Sequence, residues 1–111
     1  MKNLVFRIRK QYFDAIVKGQ KTVEYRRDSK FWRSRIFNLL DGNMMRSVVN
    51  ENIVFRVSQL VIGVFVCGKR VHRRQIISIE KIETPDTFSE QGKKDVETPY
   101  CFAFHLGSEV S

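Results

Sequence analysis

A lysine, a carboxylate and an arginine stand close together at Lys21, Glu24 and Arg26, directly after Gly19, and Arg27 adds a second guanidinium. Two kinds of chemistry suit this set. In a binding role, Lys21, Arg26 and Arg27 contact phosphate, Arg26 through its bidentate fork. Glu24 then orients Arg26 or accepts a hydrogen bond from a base or a sugar hydroxyl. In a catalytic role, Lys21 and Glu24 are the candidates, and Lys21 has to shed a proton to act as base or nucleophile. The neighbouring arginines push it that way, whereas Glu24 stabilises the ammonium. A carboxylate so near favours binding over catalysis. The plainer alternative is a solvated ion-pair cluster that contributes little.

Two further groups carry similar chemistry. Lys69, Arg70, Arg73 and Arg74 form a basic run between two apolar segments, which suits a hairpin lying along a phosphate backbone. Phe31 and Trp32 are flanked by Lys30, Arg33 and Arg35, an interleaving that lets a ring stack a base while cations hold its phosphate. Trp32 is equally suited to the core.

The charge balance agrees with an anionic partner. Twenty Lys plus Arg against twelve Asp plus Glu leave a net charge of +8, concentrated before Arg35 and in the 69–74 run. Cys67 and Cys101 are too few and too far apart for a zinc site or a disulfide framework, and each sits among apolar residues. With His72 and His105 at no metal-ligand spacing, neither a metal nor a cofactor is expected. No apolar run has the roughly 18 residues needed to span a bilayer. The opening Met-Lys-Asn passes at once into an alternating segment without the apolar stretch of a secretory signal, so a cytoplasmic location is expected.

The elements that must position these side chains follow from periodicity. Leu4, Phe6 and Ile8 alternate with Val5, Arg7 and Arg9 as in a half-buried strand. Tyr12, Phe13, Ile16 and Val17 then share one helical face over 11–18, with Asp14 and Lys18 as an i, i+4 pair. Gly19 falls where a helix ends in a left-handed residue. A second strand is expected over 22–27, with Val23 and Tyr25 facing the core and Thr22, Glu24 and Arg26 facing away. A short helix is expected within 28–46. Strands follow over 52–57, 60–67 and the centre of 69–82, with Gly68 as a turn. A short turn or helix is expected from Asp86 to Gly92 with Phe88 inward, and a last strand from Tyr100 to Leu106. The expected fold is a single domain over 1–111, α+β but mainly β. Five or six strands form a small barrel or strongly bent sheet, with one N-terminal helix and one or two short helices.

A strand, a helix ending in glycine, and then Gly19-x-Lys21-x-x-Glu24-x-Arg26 leading into a second strand resembles the signature of the ASCH domain family. Tyr12-Phe13-x-x-Ile16-x-x-Gly19 is also similar to that family's first helix. The resemblance covers roughly residues 3–27, returns at the closing strand Phe102 to Gly107, and is poor over 29–50. It implies a PUA-like β-barrel whose motif residues line a cleft that receives RNA or a nucleotide. Some small bacterial members are amidohydrolases that deacetylate N4-acetylcytidine. They use the motif lysine, a threonine three residues later and a glutamate from a later helix. Here Lys21 matches, Glu24 stands in the threonine's place, and Glu90 is the candidate for the later glutamate. Other members are ribonucleases or RNA-binding modules, so the resemblance implies a ligand class rather than one reaction. RNA or nucleotide binding is therefore the expected function. A modified-nucleoside hydrolase or ribonuclease of the same fold is the alternative, and a protein-interaction module with a basic surface is a further one.

Overall fold

The computed structural model describes residues 2–39, 44–49, 52–57, 60–84 and 100–110. Glu90 and the turn or helix expected from Asp86 to Gly92 lie outside these residues. The described elements run β1 (Lys2–Arg7), α1 (Lys10–Val17), β2 (Val23–Arg27), α2 (Lys30–Leu39), β3 (Met44–Val49), β4 (Asn52–Val57), β5 (Val61–Cys67), β6 (Arg70–Glu83) and β7 (Tyr100–Glu109). The fold is thus small and mainly β with two helices, and β3 adds a strand to the five or six that periodicity supports.

The fourteen-residue β6 organises the sheet. One of its edges pairs with β5 along Arg70–Gln75 and then with β4 along Ser78–Lys81. Its other edge carries β7, with register shifts between Arg74 and Ser78. β1 lies parallel to β5, and β2 lies antiparallel to β7. The order β1-β5-β6-β7-β2 curls round until β1 and β2 face each other. Among the described residues no ladder joins them. The sheet is a half-barrel with an open seam.

Phe6 sits at the centre of the core. It stacks on Trp32 and on Phe65 at centroid separations of 5.0 Å each and meets Phe104 edge-on at 5.0 Å. Leu4, Phe13, Ile16, Ile36, Leu39, Ile76 and Ile79 surround this ring cluster. The two helices each contribute one apolar face to it: Phe13 and Ile16 from α1, and Trp32, Ile36 and Leu39 from α2. The stripe on α1 is narrower than its sequence spacing implies. Tyr12 is half-buried and Val17 is exposed. Cys101 is buried and Cys67 packs against the core, as their apolar neighbours indicate. No described helix is long and apolar enough to cross a membrane.

Candidate nucleotide cleft

α1 stops because Gly19 takes φ +75°, a conformation that side chains with a Cβ rarely adopt. The Gly19 N–H donates to the Ile16 carbonyl at 3.1 Å, and the Gln20 N–H donates to the Ala15 carbonyl at 2.9 Å. This is the double closure of a Schellman ending. The chain reverses there and enters β2, so the glycine sets where Lys21, Glu24 and Arg26 emerge, without itself lining a cavity.

The facing of β2 is the reverse of the expectation. Glu24 stands opposite Phe104 and Arg26 opposite Phe102, while Val23 and Tyr25 stand opposite His105 and Ala103. Residues directly opposite in an antiparallel pair share a face. Phe102 and Phe104 belong to the core, so Glu24 and Arg26 project inward and Tyr25 outward. Glu24 is only 8% exposed, whereas Val23 and Tyr25 are half-buried. The alternation was correct, but polarity assigned it to the wrong side.

An inward carboxylate and guanidinium on an apolar barrel face occupy the seam. The Arg26 guanidinium donates through Nη2 to the Arg7 carbonyl at 3.1 Å, bridging β2 to β1 where no ladder does. It also lies over the rings of Phe6 at 5.3 Å and Trp32 at 5.5 Å. Its Nε is 4.0 Å from Glu24 Oε1, which also accepts from the Tyr25 N–H at 3.2 Å. The phosphate-gripping role expected of Arg26 thus gives way to a positioning role. The group is committed to the seam and to its neighbour's carboxylate.

Around this pair opens a cleft of about 340 Å³, within the range of small-molecule sites, roughly 300–1,000 Å³. Arg7, Ile8 and Arg9 line it from the end of β1, Tyr12 from α1, Glu24 to Arg27 from β2, and Trp32 from α2. Trp32 therefore serves both core and cleft. Arg7, Arg9 and Arg27 are exposed at this cleft and supply cationic donors. Glu24 Oε2 is buried and has no hydrogen-bond partner among the described residues. Burial pushes the Glu24 carboxyl above the ordinary glutamate range, against the pull of Lys21, Arg26 and the Tyr25 N–H. Lys21 stands beside the cleft, its ammonium over the rings of Tyr12 at 5.7 Å and Tyr25 at 5.5 Å.

The second basic run is placed elsewhere. None of Lys69, Arg70, Arg73 and Arg74 is among the residues lining this cleft. Arg70 donates to Asp14 at 2.9 Å and covers the Phe13 ring at 4.5 Å. Asp14 thereby ties α1 to the β5–β6 hairpin. Arg74 donates to the Ile16 carbonyl at 3.1 Å, the Gly107 carbonyl at 3.3 Å and His72 Nε2 at 3.1 Å, fastening the end of α1 to β6 and β7. Lys69 and Arg73 are exposed. Conversely, Arg7, Arg9 and Tyr12 line the cleft although the motif does not include them. Their signal was positional: they flank the strand-to-helix junction that faces the glycine turn.

No family model, curated protein or solved structure matches the chain.

Proposed function

We propose that this chain is a nucleotide- or RNA-binding protein of the ASCH kind that receives a base in the seam between β1 and β2. The observation that carries this reading is Glu24 Oε2, a buried acceptor without a hydrogen-bond partner among the described residues, in a cleft otherwise lined by rings, guanidinium groups and Ile8. A buried polar atom left unsatisfied costs about 1–3 kcal/mol. An N–H donor from a ligand removes that cost, and a bare phosphate adds to it by repulsion. Base edges present amino and imino donors, Tyr12 and Trp32 offer ring surface, and Arg7, Arg9 and Arg27 suit the attached phosphate. The PUA-like barrel implied by the motif is compatible with the half-barrel and its strand–helix–glycine–strand opening.

One observation favours a second reading. A carboxyl held above its ordinary range by burial can carry and release a proton, as a hydrolase of modified nucleosides or a ribonuclease requires. Incubation with N4-acetylcytidine and with labelled RNA separates the two, since binding alone gives no product. The binding reading is tested by titrating the four ribonucleoside monophosphates and inorganic phosphate. Base-dependent affinities, with phosphate alone much weaker, are expected. Phosphate binding as tightly as any nucleotide contradicts the reading of a base.

A further inference from the structure

The outward side of α2 carries two exposed rings, Phe31 and Phe37, at 53% and 72% exposure on a ten-residue helix. Neither belongs to the core, which takes Trp32, Ile36 and Leu39 from the same helix. The Arg35 guanidinium lies 3.6 Å above the Phe31 ring, so a flat cation and a flat ring are superposed at the surface. Phe31 in turn meets Trp32 edge-on at 5.4 Å, and Trp32 is a wall of the Glu24 cleft. A continuous series of π-surfaces therefore leads out of the cleft onto the helix. Beyond it, Lys30, Arg33, Ser34, Phe37 and Asn38 border a shallow hollow of about 390 Å³. Two cations, a hydroxyl, an amide and an exposed ring face it.

We infer that the ligand of the cleft is a single-stranded nucleic acid segment that continues across α2, with the neighbouring base on the Phe31–Arg35 pair and the phosphates on Lys30 and on the N–H groups of Arg33 other than the one bonded to Asp28. That N–H donates to Asp28 at 3.2 Å, a carboxylate that Lys81 also holds. This rests on the reading of the cleft as a base site and extends it from one nucleotide to several. Unpaired bases expose the π-faces that such a platform takes, whereas a duplex hides them. The alternating cations match the repeating phosphate of a strand rather than a single charge. An isolated nucleotide filling the cleft leaves this surface without a partner.

The test is competition against a labelled six-nucleotide single strand, using unlabelled mononucleotide, trinucleotide and hexanucleotide in RNA and DNA form, and a hexamer annealed to its complement. Affinity is expected to rise at least about tenfold from mononucleotide to hexamer, with the duplex weaker than the single strand. Stacking contributes strongly per base, so Phe31→Ser is expected to weaken the hexamer by about 5- to 100-fold. The hexamer-to-mononucleotide ratio then falls towards one. Phe31 and Arg35 are exposed, and Arg35→Gln gives the same direction of change without removing a ring. Circular dichroism confirms that both variants are folded. A mononucleotide that competes as well as the hexamer overturns this inference and leaves the cleft reading standing. Failure of every nucleotide and strand to bind overturns both. Anionic phospholipid vesicles captured through Phe31, with no dependence on strand length, assign the helix face to a membrane surface and overturn the inference as well.

Discussion

Two of the chain's clusters of positive charge look alike as sequence and differ in what the structure does with them. At the β1–β2 seam, Arg7, Arg9, Arg26 and Arg27 surround a concavity and a buried carboxylate. At the β5–β6 hairpin, Arg70 and Arg74 are spent on Asp14 and on the carbonyls of Ile16 and Gly107. The first group lines a concavity, and in the second Arg70 and Arg74 hold α1 in place. A cation's partners and the surface it borders, rather than its density along the chain, decide whether it is available to a ligand.

The largest effect is expected at the one cation that does both jobs. Arg26→Ala removes the seam bridge and leaves Glu24 buried without its nearest guanidinium. It should cost about 3 kcal/mol in denaturant unfolding and abolish nucleotide binding. Arg26→Lys should not restore either property, because an ammonium cannot bridge Arg7 and cover two rings at once. Next in size, Arg74→Ala is expected to cost about 2 kcal/mol through its lost carbonyl and imidazole bonds. Nucleotide affinity should remain near that of the wild type when measured well below the melting temperature. A large loss of affinity with little loss of stability places the hairpin at the ligand after all.

Salt dependence sharpens the contrast further. For a single strand, removing one phosphate contact reduces the slope of log K against log salt by about 0.7. Arg9→Ala and Arg27→Ala should each show that reduction, and Lys69→Ala and Arg73→Ala should not. Equal reductions at all four positions erase the distinction between the two clusters.

The smallest effect is a pH dependence of the hairpin. Burial, reinforced by Arg74, holds the His72 imidazole below its ordinary range, while Glu109 at 3.7 Å pulls the other way. The folded state thus binds the His72 proton less readily than the unfolded chain. Stability from this residue is full above the unfolded value of about 6.5 and declines as pH falls from there towards the lowered folded value. His72→Gln should flatten that part of a melting-temperature profile. A profile unchanged by the substitution removes His72 from the account of α1 docking.

Much of this was legible in the residues. Leu4 and Phe6 announced β1, the glycine at 19 announced the end of α1, and Gly68 takes φ +60° between β5 and β6 as a tight turn there requires. The alternation of Phe102, Phe104 and Leu106 gave β7. Met44–Val49 was not legible as β3, because its six residues lack clean alternation and follow directly on a helical pattern. The side of β2 is not legible from its own residues. Local polarity places Tyr25 inside and Glu24 outside, but the decision belongs to the register with β7, a pairing between distant parts of the chain. Only that register puts a carboxylate opposite Phe104. The fold overrides the preference of the side chain, and a Glu24 oxygen buried without a partner among the described residues is the consequence.

The most direct measurement is therefore calorimetric titration of nucleotides into the wild type and Glu24→Gln, with thermal melts of both. The amide cannot ionise, and at neutral pH it relieves the cost of a buried charge. Because burial raises the folded-state value of Glu24, its stability contribution is lost as pH rises from the unfolded glutamate range through that raised value, so the substitution should stabilise most above it. The expected result is a Glu24→Gln protein that melts no lower than wild type at neutral pH and binds nucleotides at least about tenfold more weakly, a difference of roughly 1.4 kcal/mol. Unchanged affinity for every nucleotide in a folded Glu24→Gln protein would contradict the cleft as a site that reads a base.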